Sequence, residues 1–124
     1  MGGSKMKLII RDKFDAAHYL PGHHKCGNVH GHTYHIEVAF NVSEPNKNGI
    51  TVEFGTLKRI VKQYVSEDFD HKLINDVIKT PPTAENIAYI VFNTLNCVLK
   101  MEKIAAYVSS VTVWETENCG ARYP

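Results

Sequence analysis

Between His18 and His35 the chain reads HYLPGHHKCGNVHGHTYH, a stretch that holds six of its seven histidines and one of its three cysteines. Neutral imidazole and thiolate are side chains that bind borderline-soft divalent cations such as Zn²⁺. His30 and His32 lie two residues apart, so in extended backbone they leave one face about 7 Å apart and can converge on a single ion. Their parity is that of Tyr34, Ile36 and Val38, which turns the pair toward the apolar side of a strand, where water competes little for the metal. His18 shares the parity of the buried face at the end of the preceding strand. Adjacent strands can therefore present three imidazoles to one point. Three histidines with a vacant fourth position are the pattern of catalytic zinc, whereas structural zinc is usually closed by four protein ligands, mostly thiolates. His23 and His24 read as solvated loop residues.

Cys26 leaves two readings open. It closes the site as a fourth ligand, or it stands beside the ion as a low-pKa thiolate that removes protons from a bound substrate. A cysteine followed four and six residues later by histidines suits both. Cys97 and Cys119 read as packing or surface thiols. In FDHKLIN, Asp70 directly precedes His71, and a carboxylate can orient an imidazole and raise its basicity for proton relay. Glu115 falls on the face of Val111 and Val113, where an unpaired carboxylate is costly to bury. Either the strand frays there, or Glu115 accepts paired N–H donors from a ligand, as a carboxylate does from an amino-pyrimidinone edge.

Alternating and helical periodicities supply the elements that must carry these groups. Leu8, Ile10, Phe14, Ala16 and His18 alternate with Arg11, Lys13 and Asp15, which predicts a half-buried strand over 7–18 with a polar interruption at Asp12. Tyr34, Ile36, Val38, Phe40 and Val42 against Thr33, His35, Glu37 and Asn41 predict a second strand, closed by SEPNKNG. Phe54, Leu57, Val61, Tyr64 and Val65 recur at the spacing of an amphipathic helix over 54–66. SEDFDHKLINDVIKTPP reads as a loop whose paired prolines stop any helix. Thr83 then sits at an N-cap with Glu85 in the first turn, and a second helix runs through Ile87, Val91, Leu95 and Val98 to about Lys100. A third strand is predicted over 106–117, with Tyr107, Val111, Val113 and Glu115 on one face opposite Val108, Ser110, Thr112 and Trp114. NCGARYP leaves room for a turn and a very short last strand. This order predicts an α+β fold, an antiparallel sheet with two helices on one face.

The length of 124 residues fits one domain. A net charge of +1 leaves no electrostatic footprint for nucleic acid, although a small anionic substrate remains compatible. No run is long enough for a membrane span, and MGGSKMK lacks the apolar stretch of a signal peptide, so the expected location is cytoplasmic. Residues 1–5 read as an expression scar ahead of a native start at Met6. Cys26, Cys97 and Cys119 are odd in number and widely spaced, which points to reduced thiols.

FDAAH, CGNVHGHTY, FDHKLIN, PTAEN and VWET, in this order, resemble the 6-pyruvoyltetrahydropterin synthase family over nearly the whole chain from Met6. That family includes the queuosine-pathway 6-carboxytetrahydropterin synthases. The resemblance implies a tunnelling fold, in which four-stranded sheets backed by two helices join edge to edge into a barrel. Such subunits commonly stack as trimers into a homohexamer, with sites between subunits. It further implies Zn²⁺ on His18, His30 and His32, Cys26 as the proton-abstracting cysteine, and Asp70 with His71 as a relay. Glu115 takes the place of the glutamate that anchors the pterin ring and joins the relay, and Thr83 and Glu85 become pterin contacts in addition to their capping role. The implied substrate is 7,8-dihydroneopterin triphosphate.

Loss of triphosphate alone gives 6-pyruvoyltetrahydropterin. Cleavage of the side-chain carbon–carbon bond as well releases acetaldehyde and leaves 6-carboxy-5,6,7,8-tetrahydropterin, and the short chain resembles the compact enzymes of that second kind. No glutamate lies between Cys26 and His30, which separates the chain from the subgroup that replaces the cysteine by glutamate for folate synthesis. Glu53 stands where the family usually has aspartate, and the abrupt end at Pro124 implies a shortened last strand and an altered barrel edge. Two other readings use the same residues. One is a non-catalytic pterin- or metal-binding module closed by one cysteine and three histidines. The other is a sibling enzyme acting on another pterin or a purine-like ring, since fold alone does not fix function.

Overall fold

The alternating segments pair into one antiparallel sheet. The computed structural model describes residues 6–124, so the expected scar at 1–5 lies outside the described residues. β1 (Lys7–His18), β2 (His30–Val42), β3 (Ala106–Trp114) and β4 (Gly120–Tyr123) lie side by side in that order. Ile10, Phe14, Ala16 and His18 of β1 and Tyr34, Ile36, Val38, Phe40 and Val42 of β2 turn to one buried face. Over that face pack α1 (Phe54–Val61), a π-helical segment (Lys62–Ser66), α2 (Glu67–Phe69), α3 (Ile74–Val77) and α4 (Ala84–Met101). Asp12, the polar interruption of β1, accepts a 2.6 Å hydrogen bond from Ser66 Oγ, so its inward turn is satisfied. Thr83 caps α4, its Oγ1 accepting from Asn86 N–H at 3.1 Å, and Ile87, Val91, Leu95 and Val98 are buried as the periodicity requires.

Five local expectations are corrected. Helical structure continues past residue 66 to Phe69, because Leu57, Val61, Val65 and Phe69 all bury at four-residue intervals. An ideal helix rotates such a row off the core, and the π-helical segment absorbs that drift. Phe54, expected on the apolar stripe, is 58 % exposed. The segment read as a loop contains α3 and touches the edge of β1 through an isolated parallel bridge between Ala17 and Leu73. On β3 the pairing jumps from Ala39–Ser110 to Phe40–Val108, a bulge that leaves Ser109 over. Val108 therefore joins Val111 and Val113 in the core, while Tyr107 is 56 % exposed, the reverse of simple alternation. β3 ends at Trp114, so Glu115 sits just past the strand, its N–H bonded to the Cys119 carbonyl at 3.0 Å.

Candidate metal centre

The antiparallel register sets His18 directly opposite His30 and Ala16 opposite His32. Three same-face positions on two strands thus converge, and one ligand-capable atom from each of His18, His30 and His32 lies within 4.8 Å of the others. His18 is buried and the other two are half-buried. His18 Nδ1 is 2.7 Å from the Pro82 carbonyl and His30 Nδ1 is 2.8 Å from the Asn28 carbonyl. A carbonyl only accepts, so both Nδ1 atoms carry protons and both Nε2 lone pairs are free to ligate. Burial lowers the pKa of His32; Glu115 opposes this, and His18 and His30 add to it. The neutral, ligand-competent imidazole is favoured.

Tyr34 lies under the cluster, its ring edge-on to His18 and His32 at 5.8 and 5.4 Å between centroids. Its hydroxyl is buried with no hydrogen-bond partner among the described residues. Burial first, and then the Glu115 carboxylate, hold that hydroxyl in its protonated form. Three nitrogen donors, two of them with carbonyl-fixed tautomers, beside an unsatisfied buried hydroxyl, fit a small divalent cation of the zinc type.

Two clefts border the cluster. Glu115 Oε2 is 3.9 Å from His18 Nε2. Glu115 lines a cleft of about 390 Å³ together with Leu20, Thr83, Glu85 and Cys119. A second cleft, of about 610 Å³, is lined by His32 of the cluster with Thr33, His71 and Lys72. Asp70 Oδ2 is 2.9 Å from His71 Nδ1, and Asp70 Oδ1 accepts the Asp15 N–H at 2.9 Å. That backbone donor, and then His71, hold the Asp70 carboxyl below its ordinary range. The bond to Asp70 raises the pKa of His71 in turn. His71 has a left-handed backbone (φ 59°) pinned by its N–H to the Asp15 carbonyl at 2.6 Å. Asn75, the last residue of FDHKLIN, exchanges two hydrogen bonds with the backbone of Tyr19 and so fixes the chain just past His18.

Sequence-predicted residues therefore meet at one end of the sheet: the three histidines together, Glu115, Thr83 and Glu85 in one cleft, and His71 in the other. Cys26 lies half-buried in the loop between β1 and β2, and its sulfur is not among the clustered ligand atoms. Sequence reading missed Tyr34 Oη, Asp15, Thr33 and the Pro82 and Asn28 carbonyls. Only Asp15 carries a visible signal, a carboxylate inside FDAAH; its Oδ1 accepts from Thr33 Oγ1 at 2.5 Å.

A sequence model described as 6-pyruvoyl tetrahydropterin synthase matches residues 7–124. The chain belongs to the 6-pyruvoyl tetrahydropterin synthase family. Among its relatives, a candidate 6-carboxy-5,6,7,8-tetrahydropterin synthase of Archaeoglobus fulgidus is 44 % identical over 91 residues, 73 % of this chain and 76 % of that protein. The 6-carboxy-5,6,7,8-tetrahydropterin synthase of Rickettsia felis is 33 % identical over 134 aligned positions, 92 % of this chain and 96 % of that one. The 6-pyruvoyl tetrahydropterin synthase of Caenorhabditis elegans superimposes with a TM-score of 0.82 at 24 % identity, covering 99 % and 98 % of the two chains. This last likeness establishes the synthase family's fold for the chain. Among the described residues no helix is long and apolar enough to cross a membrane.

Proposed function

We propose that the chain is a zinc-dependent 6-carboxy-5,6,7,8-tetrahydropterin synthase acting on 7,8-dihydroneopterin triphosphate in the cytoplasm as a homo-oligomer. The convergence of three imidazoles, two of them oriented by backbone carbonyls, beside a glutamate cleft and a histidine–aspartate cleft carries this reading. His18, His30 and His32 hold Zn²⁺, which supplies Lewis-acid polarisation of the substrate's side-chain hydroxyls. Glu115 accepts the paired N–H donors of the pterin edge, and Thr83 and Glu85 line the same cleft. Cys26, as thiolate, takes a proton from a side-chain carbon. His71, oriented by Asp70, returns or collects a proton from the second cleft, and help of this kind is typically worth about 10²- to 10⁴-fold.

The names of the relatives favour the carboxy product over the pyruvoyl one. Incubating the zinc-loaded protein with 7,8-dihydroneopterin triphosphate and assaying acetaldehyde tests it. Acetaldehyde released with triphosphate is the expected result. Triphosphate release without acetaldehyde makes the chain a 6-pyruvoyl synthase instead, and no turnover with zinc bound removes the enzymatic reading. Cys26→Ala is expected to retain zinc and lose turnover; loss of zinc in that variant favours the closed four-ligand module.

A further inference from the structure

The loop that carries Cys26 is closed by hydrogen bonds, and one of them uses a side chain to which the scheme above gives no task. Leu20 N–H donates to the Cys26 carbonyl at 2.7 Å, and His23 N–H donates to the Leu20 carbonyl at 3.1 Å. The Cys26 N–H donates to His23 Nδ1 at 3.0 Å. Because an N–H can only donate, His23 Nδ1 presents its lone pair and the ring proton sits on Nε2. Gly27 completes the closure, since a Cβ there would fall 2.6 Å from the His23 carbonyl oxygen. The backbone of Gly27 and that of His23 therefore touch. Leu20 follows His18 by two residues and itself lines the Glu115 cleft, so the closed loop ties Cys26 to the chain leaving the metal cluster. His23 is exposed, and its ring is therefore not there to fill a core.

We infer that His23 is the positioning residue for Cys26: its Nδ1 lone pair holds the Cys26 backbone, and hence the direction in which the thiol leaves the chain. The inference rests on the reading of Cys26 as the proton-abstracting group. It makes a prediction about residue chemistry that neither charge nor bulk at position 23 mimics. Asparagine and aspartate carry a short side-chain acceptor that reaches backbone N–H groups two or three residues ahead, whereas alanine carries none. A single hydrogen bond of this type is worth about fivefold in a local opening equilibrium.

The test compares His23→Ala and His23→Asn with the parent, full length and loaded with zinc. Two quantities are read: turnover, and the rate at which Cys26 reacts with iodoacetamide in the substrate-free protein, followed by peptide mass spectrometry. The exposed thiols of Cys97 and Cys119 serve as internal references. In His23→Ala, kcat is expected to fall about fivefold with KM little changed, while Cys26 alkylates about fivefold faster because its loop opens. His23→Asn restores both. Parental alkylation and turnover in His23→Ala, or an asparagine variant that behaves like alanine, overturns the inference. Cys26→Ala run in parallel separates the two readings: full turnover there removes the catalytic role of Cys26 while the alkylation comparison still decides whether His23 holds the loop.

Discussion

Asp70 and His71 are adjacent, and both are fixed by one residue of β1, Asp70 by the Asp15 N–H and His71 by the Asp15 carbonyl. One residue of the strand thus sets both the position of the carboxylate and the left-handed backbone that turns the imidazole back on it. Because the bond to Asp70 raises the pKa of His71, imidazolium persists above the ordinary value of 6.5. The stabilisation from this charge is full below that ordinary value and is lost as pH rises through the raised one. On the acid side, Asp70's share is lost as pH falls through its lowered value. Asp70→Asn removes the charge that favours imidazolium, so the ring resonances of His71 in an NMR titration are expected to move at lower pH than in the parent. With His71 acting as an acid, the alkaline limb of turnover moves to lower pH by the same shift. An unmoved titration would show that the carboxylate does not govern the ring.

The hairpin that ends the sheet depends on one glycine. A Cβ at Gly120 would lie 2.7 Å from Trp114 Cε3 and 2.8 Å from the Val113 carbonyl oxygen, one of which is backbone and cannot swing aside. Gly120→Ala is therefore expected to cost about 1–3 kcal/mol, read as a lower thermal midpoint, since overpacking must be relieved by displacing β4 or the indole. A midpoint equal to that of the parent would mean the indole is free to move. No periodicity announces this contact, and the same holds for each element misread from sequence. β1 and β2 are legible because alternation persists over twelve and thirteen residues, interrupted in β1 only at Asp12, and α4 because its cap and stripe agree. The Ser109 bulge inverted the faces of β3 upstream of Val111, since parity counted through an extra residue points the wrong way. The four residues of α3 are too few to show a helical period. At the site, residue types betray the histidine cluster, but His23 carries no such signal and reads as a solvated loop residue. What gives it significance is a contact with the backbone N–H of Cys26 rather than its own chemistry.

The finished sheet has two outer strands, β1 and β4, and they are protected unequally. The C-terminal end of β1 is covered by residues 71–73, through His71 N–H to Asp15 and Ala17 N–H to Lys72. β4 has only four residues, and its last, Tyr123, stacks edge to face on Tyr89 of α4 at 5.0 Å while the two remain 37 % and 50 % exposed. An outer strand next to exposed aromatic surface is a template for another chain. The cleft of Glu115 is also bounded by Gly120 and Ala121 of β4, so a second copy paired there borders the proposed pterin site. Light scattering is accordingly expected to give a multiple of the single-chain mass. Tyr89→Asp with Tyr123→Asp places two charges in that contact and is expected to return the protein to one chain while its circular dichroism is kept. If a neighbouring copy completes the site, specific activity of the double variant falls at least tenfold and rises again with protein concentration. A parent that runs as a single chain and turns over at a concentration-independent specific activity would place the whole reaction within one subunit.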